Sequence, residues 1–177
     1  MPNTRRIFLG VAVVFGLGLG VAVWWLWRHP YAADPLVYRP APDYVFNRGD
    51  AVEAQFKPSD WAGRPYLISF FASWCRPCHV EHPVLMKLAR DSGLALVGVA
   101  YRDRPEDVDR MLQKMGNPYH KLLDDFSGDG AVAWGLRGVP ESFIVDQSGE
   151  IVWHRVGPVT PAVVADQIMP LVADLTD

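Results

Sequence analysis

Only two cysteines, Cys75 and Cys78, occur in this chain of 177 residues, and two residues separate them. An exported domain stapled by structural disulfides carries several cysteines spread along its length. A bridge across a CxxC closes too short a loop to staple a fold, so the purpose of this pair is thiol–disulfide chemistry. That chemistry needs one thiol held as a thiolate and a second placed to attack the mixed disulfide that forms on the first. The run Phe70-Phe71-Ala72-Ser73-Trp74-Cys75-Arg76-Pro77-Cys78 places the motif where a buried strand hands over to a helix. Unpaired N–H groups and the dipole at a helix N-terminus stabilise a thiolate, and lower a thiol pKa from about 8.5 into the range ~3.5–7.5. Cys75 is therefore the attacking thiol. Cys78, one turn in and more buried, is the resolving thiol.

Glu81 follows Cys78 by three residues and shares its helix face. A carboxyl there raises the pKa of the buried thiol and can relay its proton; the plainer alternative is a solvated helix residue. His82 reads as an ordinary helix residue, and Trp61, Trp134 and Trp153 as packing. Two other chemistries use the same residues. Cys75-Arg76-Pro77-Cys78-His79 has the C-x-x-C-H form of a c-type haem attachment site. Cys75, Cys78, His79 and His82 also offer metal ligands. A haem needs a pocket, and structural zinc draws its second ligand pair from a distant segment. A CxxC between a buried strand and a helix supplies neither.

The elements that must position the motif follow from hydrophobic pattern. Tyr66 to Phe71 is a continuous apolar run, as in a strand buried on both faces. Pro77 to about Arg90 reads as a helix with Val80, Val84, Leu85 and Leu88 on one face, ended by Gly93. Leu94 to Ala100 is a second buried strand. Pro105 to Lys114 is a second helix, with proline in its first turn and Glu106, Asp107 and Asp109 after it. Ala131 to Trp134 suits a short helical turn. Ser142 to Val145, the turn at Asp146 to Gly149, and Ile151 to Val156 suit a hairpin. Pro161 to Leu175 is a closing helix that Pro170 should kink or break. A further hairpin is expected around Asn47-Arg48-Gly49. The order implies an α/β domain with parallel strands first and an antiparallel edge later.

The N-terminal part has a different character. Ile7 to Trp27 is 21 residues without a charged or amide side chain, about the length that crosses a bilayer core. Its twelve Leu, Ile, Val and Phe residues sum to roughly −4 to −7 kcal/mol of insertion free energy. Arg5 and Arg6 precede it, and positive flanks stay cytoplasmic; Trp24, Trp25 and Trp27 suit the far interface. The expected organisation is a cytoplasmic stretch 1–6, a transmembrane anchor 7–27, an extended proline-bearing spacer 28–43 and an exported domain 44–177. A cleaved signal is the rival, since Arg5-Arg6 also suits a twin-arginine export address. Against it, the apolar run exceeds the usual ~7–15 residues, and no good small-x-small cleavage site follows. From Asp34 onward, 14 basic residues face 20 acidic ones, a balance that argues against a nucleic-acid partner.

Beyond the CxxC, the chain carries Glu81-His82, Gly116-Asn117-Pro118-Tyr119, Gly128-Asp129-Gly130, Gly135-x-x-Gly138-x-Pro140-Glu141, Phe143-Ile144-Val145-Asp146 and Gly157-Pro158. With Trp74-Cys75-x-x-Cys78, these resemble the thioredoxin superfamily. The closer likeness is to the membrane-anchored thiol:disulfide interchange proteins of cytochrome c maturation, the CcmG/DsbE type, over about Trp61 to Pro161. The resemblance implies a thioredoxin fold, a mixed central sheet flanked by helices with an N-terminal extension. It also implies a reductase that opens the CxxCH disulfide of apocytochrome c in the periplasm. Its electrons would come from an inner-membrane thiol-reductant transporter of the DsbD/CcdA type. No cofactor is implied beyond the redox-active pair. It makes Pro140 a cis-proline opposite the CxxC, with Val139 offering its backbone to an incoming peptide. It has Trp74 cover the thiols, strengthens the role of Glu81, and leaves Glu141 between tuning the site and selecting substrate. The chain departs from the family pattern in two places: at Arg76-Pro77 between the cysteines, a dipeptide that helps tune potential, and at His79 after Cys78.

Overall fold

The computed structural model describes residues 18–24, 34–48 and 55–176. The chain divides into two compact units, Met1–Pro35 and Leu36–Asp177. In the first, residues 18–24 are helical. The rest of the expected anchor lies outside the described residues, and among the described residues no helix is long and apolar enough to cross a membrane.

The second unit is built on a five-stranded sheet. Its strands are β1 (Tyr66–Phe71), β2 (Ala95–Tyr101), β3 (Lys121–Asp125), β4 (Glu141–Val145) and β5 (Ile151–Val156), in the order β3-β2-β1-β4-β5. β1 runs parallel to β2, and β2 to β3; β4 is antiparallel to both β1 and β5. β1 is central and buried along its whole length, which is why it reads as an unbroken apolar run. β3, Lys121-Leu122-Leu123-Asp124-Asp125, has no such signature: three of its five residues are charged and it lies at the sheet edge, so its pattern did not mark it as a strand.

Between the strands lie α1 (Arg76–Asp91), α2 (Pro105–Met115) and the short α3 (Asp129–Trp134). The buried face of α1 is not the one that apolarity suggests. Val80 is 73% exposed, whereas Cys78, Glu81, His82, Leu85 and Leu88 are buried. Those positions follow the i, i+3, i+4, i+7 rhythm of one helix face, but three of the five are not aliphatic. Pro83 also sits inside α1, where it removes one i→i−4 hydrogen bond. The C-terminal helix does not break at Pro170. It runs as α4 (Pro161–Val163), a π segment (Val164–Ile168) and α5 (Met169–Thr176). The Met169 N–H reaches the Val164 carbonyl five residues back, and this widened turn lets the helix pass the proline.

One sheet face carries an aromatic core. Tyr66, Phe70, Phe143, Phe46, Phe56 and Trp134 pack there with Ile68, Val97, Val99 and Leu123. Phe46 and Phe56 exchange both backbone hydrogen bonds, at 2.9 Å each, so the chain pairs with itself around the expected hairpin. Residues 49–54 of that hairpin lie outside the described residues. On the other face the ring of Tyr119 stacks on Phe71, with centroids 5.0 Å apart. It also passes directly over β2, where a Cβ at Gly98 would meet it at 2.6 Å. Only glycine fits there.

The spacer expected over 28–43 is not extended throughout. From Leu36 on it belongs to the folded unit. Val37 is buried, Tyr38 and Ala41 donate backbone hydrogen bonds to Ile151 and Gly149, and Ile151 donates to Arg39. Prolines suit such a segment, because it pairs along one side only.

Candidate active site

Cys75 and Cys78 are joined in a disulfide at the junction of β1 and α1. Cys75 is the N-cap of α1, and its sulfur accepts the Cys78 N–H at 3.2 Å. A sulfur thus fills the role that a Ser or Asp oxygen has at other helix starts, and a thiolate would fill it better than a thiol. Arg76 and Pro77 form the first turn, where the missing proline N–H costs nothing. Both cysteines are buried in this state, Cys78 slightly more than Cys75.

The loop before Cys75 is held from two sides. Asp103, buried at the end of β2, accepts the Ser73 N–H at 2.5 Å and the Ser73 hydroxyl at 3.1 Å. The His79 ring nitrogen Nε2 donates to the Ser73 carbonyl at 2.7 Å. Trp74 is therefore presented outward, 58% exposed, with its Nε1–H 3.3 Å from the Arg102 carbonyl. It is a surface platform beside the disulfide and not a core tryptophan. Phe126, 74% exposed, follows β3 at the same end of the sheet.

Facing the disulfide is the loop that enters β4. The Val139–Pro140 peptide is cis, and the Val139 carbonyl oxygen lies 3.5 Å from Cys75 Sγ. Glu141, the next residue, is 0% exposed and cannot touch a substrate. Its Oε2 accepts the N–H groups of Arg137 (2.8 Å) and Gly138 (3.3 Å), and its Oε1 accepts from His154 Nε2 at 2.7 Å.

Glu81 is 1% exposed and shares the buried face of α1 with Cys78. Its Oε2 accepts the Val159 N–H at 2.8 Å, while Oε1 has no hydrogen-bond partner among the described residues. Burial pushes its pKa up to about 7, against the opposing pull of the Val159 hydrogen bond and the Arg155 charge. A carboxyl poised at neutral pH beside a buried thiol can take and return a proton. Burial also lowers the His82 pKa, and its Nε2 donates to the Gly116 carbonyl at 2.9 Å, so this ring ties α1 to the loop after α2.

The structure thus brings Trp74, Cys75, Pro77, Cys78, Glu81, Val139, Pro140 and Glu141 to one end of the sheet. His79 and His82 are engaged with backbone carbonyls, and among the described residues no cluster of three metal-ligating side chains exists. Asp103, His154 and Val159 were not found by sequence reasoning. Each acts through a contact between residues distant in sequence, and none carries a local pattern. A separate apolar hollow of about 390 Å³ lies between α1 and the C-terminal helix, lined by Pro83, Val84, Leu88, Pro161, Val164 and Met169. It includes neither cysteine.

A family model described as Redoxin matches residues 37–168. Among similar proteins is a thiol:disulfide interchange protein DsbE of Xylella fastidiosa, 30% identical over 94% of this chain and 84% of the other. The thiol:disulfide interchange protein HelX of Rhodobacter capsulatus is 41% identical over 71% of each chain. A solved structure from Chlorobium tepidum, described as a DsbE-type interchange protein, superposes with a TM-score of 0.64 at 25% identity. It covers 77% of this chain and 97% of that one.

Proposed function

This chain belongs to the Redoxin family, within its DsbE-type thiol:disulfide oxidoreductases, and on that basis we propose that it is a periplasmic reductant which opens the CxxCH disulfide of apocytochrome c before haem attachment. The Cys75 thiolate attacks one substrate sulfur, and the other substrate sulfur leaves as a thiolate that takes a proton. Cys78 then loses its proton, with Glu81 as acceptor, and attacks Cys75 Sγ. The substrate is released as a dithiol, and Cys75–Cys78 becomes the disulfide. Two electrons pass from the protein to the substrate. A membrane thiol transporter of the DsbD/CcdA type restores them. Residues 7–27 anchor the protein in the inner membrane, with residues 1–6 in the cytoplasm and the domain on the periplasmic side.

The observation that supports a reductant most directly is the buried Glu81 carboxyl on the Cys78 face of α1. When ionised, it makes a thiolate at Cys78 more costly and so weakens the dithiol state relative to the disulfide. The substrate class rests on the sequence resemblance. The test is the reduction potential of Cys75–Cys78, together with turnover of an oxidised apocytochrome CxxCH peptide. Strong oxidants lie near −120 mV and thioredoxin near −270 mV. A potential near the lower figure with efficient turnover is expected. One near the upper figure would instead make the protein an oxidase or isomerase of broader specificity.

A further inference from the structure

We infer that His154 and Glu141 form an internal clamp that sets the docking loop of the redox site, with His154 as a positioning residue for the disulfide substrate. The inference rests on the thiol:disulfide oxidoreductase activity alone, not on which protein is the substrate.

The two side chains are fully buried and 2.7 Å apart, His154 Nε2 to Glu141 Oε1. They come from adjacent antiparallel strands, Glu141 at the start of β4 and His154 in β5. The His154 ring is fixed in its plane by stacking on Phe143, with centroids 4.4 Å apart and an interplanar angle of 11°. Phe143 is itself locked edge-on against Phe70 and Trp134 in the aromatic core. Orientation therefore passes from the core to His154, from His154 to one carboxyl oxygen, and from the other oxygen to the N–H groups of Arg137 and Gly138. The next residue, Val139, places its carbonyl 3.5 Å from Cys75 Sγ.

A carboxyl group sealed from solvent is expensive unless its oxygens are all engaged. Here each has a donor, and the donors are the loop backbone and one ring. A Glu141 that selected substrate by contact would need exposure, and it has none. The ring fixes the second oxygen, and without it the carboxyl can rotate about its terminal torsion, which is a soft one. The two loop N–H groups would then lose a fixed partner. The arrangement therefore serves the loop that an incoming peptide must pair with, since extended peptides dock by main-chain hydrogen bonds. It does not serve the electron chemistry of the sulfurs.

That distinction gives the test. Reduced wild-type protein is oxidised by two probes, a disulfide-bonded synthetic dodecapeptide and the small aromatic disulfide dithiobis(nitrobenzoate), which needs no strand pairing. His154→Leu keeps the volume apolar and removes the donor. His154→Gln restores a donor to Glu141. We expect His154→Leu to lower the second-order rate with the peptide about tenfold, with the small disulfide within twofold of wild type and the reduction potential unchanged. His154→Gln should recover most of the peptide rate. Equal slowing of both probes, or no slowing of either, overturns the inference. Should His154→Leu fail to fold, hydrogen exchange on the wild-type protein decides. The Arg137 and Gly138 amides should be protected at least a hundredfold despite their place in an exposed loop, and exchange at unprotected rates overturns the clamp.

Discussion

Cys75 Sγ lies 3.5 Å from the carbonyl oxygen of Val139, a residue 64 positions later in the chain. The contact joins the two halves of the site: the sulfur that does the chemistry and the backbone that an incoming peptide would pair with. Neither is near the other until β1 and β4 pair, with Phe70 opposite Glu141 at the end of the register. That arrangement and its supports have five measurable consequences.

The first concerns thiol asymmetry. Cys75 Sγ caps α1 and Cys78 lies inside it, so only Cys75 has a helix N-terminus to stabilise its thiolate. In reduced protein at pH 7, iodoacetamide should modify Cys75 at least tenfold faster than Cys78, measured by peptide mass mapping over time. Equal rates would remove the assignment of attacking and resolving thiols.

The second concerns trapping. Cys78→Ala leaves Cys75 able to attack and the mixed disulfide unable to resolve. Mixed with an oxidised CxxCH peptide, the variant should accumulate a covalent adduct at Cys75 that reductant dissolves. A reactive Cys75 that forms no adduct with this peptide, yet does so with unrelated disulfides, would move the substrate away from apocytochromes.

The third concerns pH and Glu81. Its pKa is raised to about 7 from 4.5 by burial, so between those values the folded protein holds a proton that the unfolded chain has released. Stability therefore falls as pH rises from 4.5 through 7, by about 3 kcal/mol in all from this group. Glu81→Gln can still accept the Val159 N–H and cannot ionise. Urea unfolding of the oxidised forms at pH 4.5 and 8 should show this loss in the wild type and not in the variant. The variant's potential should also rise, by an amount on the order of tens of millivolts per unit of Cys78 pKa change once the thiolate is populated.

The fourth concerns the brace beneath Trp74. Asp103 takes two hydrogen bonds from Ser73 and one from the Arg104 N–H while nearly buried. Asp103→Ala strands these donors, and hydrogen bonds to a charged group are worth about 1.5–3 kcal/mol each. The variant should lose about 2 kcal/mol of stability in urea and shift the Trp74 emission, because the Arg102 carbonyl that receives its N–H belongs to the residue just before Asp103. An unchanged spectrum would detach Trp74 from the brace.

The fifth concerns the boundary. A chain beginning at Asp34 keeps the backbone bonds of Tyr38 and Arg39 to Ile151 and of Ala41 to Gly149, and should be soluble and active on disulfides. One beginning at Tyr44 loses them and should unfold at lower urea. Equal midpoints would mean that residues 36–43 add nothing to the fold.

The chemistry and most of the scaffold were legible in the sequence, because they rest on local physics. A CxxC between a buried apolar run and a helical pattern suits a helix N-terminus, and Tyr66–Phe71, Pro105–Met115 and the β4–β5 hairpin announce themselves by period and by turn residues. What failed did so where the local signal pointed elsewhere. Val80 looks like core, but Cys78, Glu81 and His82 take the buried stripe of α1, and polar residues at a reactive site leave no hydrophobic period to read. β3 is three-fifths charged, and its strand geometry comes from pairing with β2. Pro170 should break a helix on its own, and a π turn before it lets the helix continue. The destination of Glu141 could not be read at all. Its spacing is equally compatible with a surface charge, and only the pairing of β4 with β5 puts His154 against one oxygen and closes both from water. Residue type and spacing determined what reaction this chain can perform. Which buried groups hold the reacting loops was decided by tertiary structure, because hydrogen bonds across 13 to 78 residues of sequence separation leave no mark on local pattern.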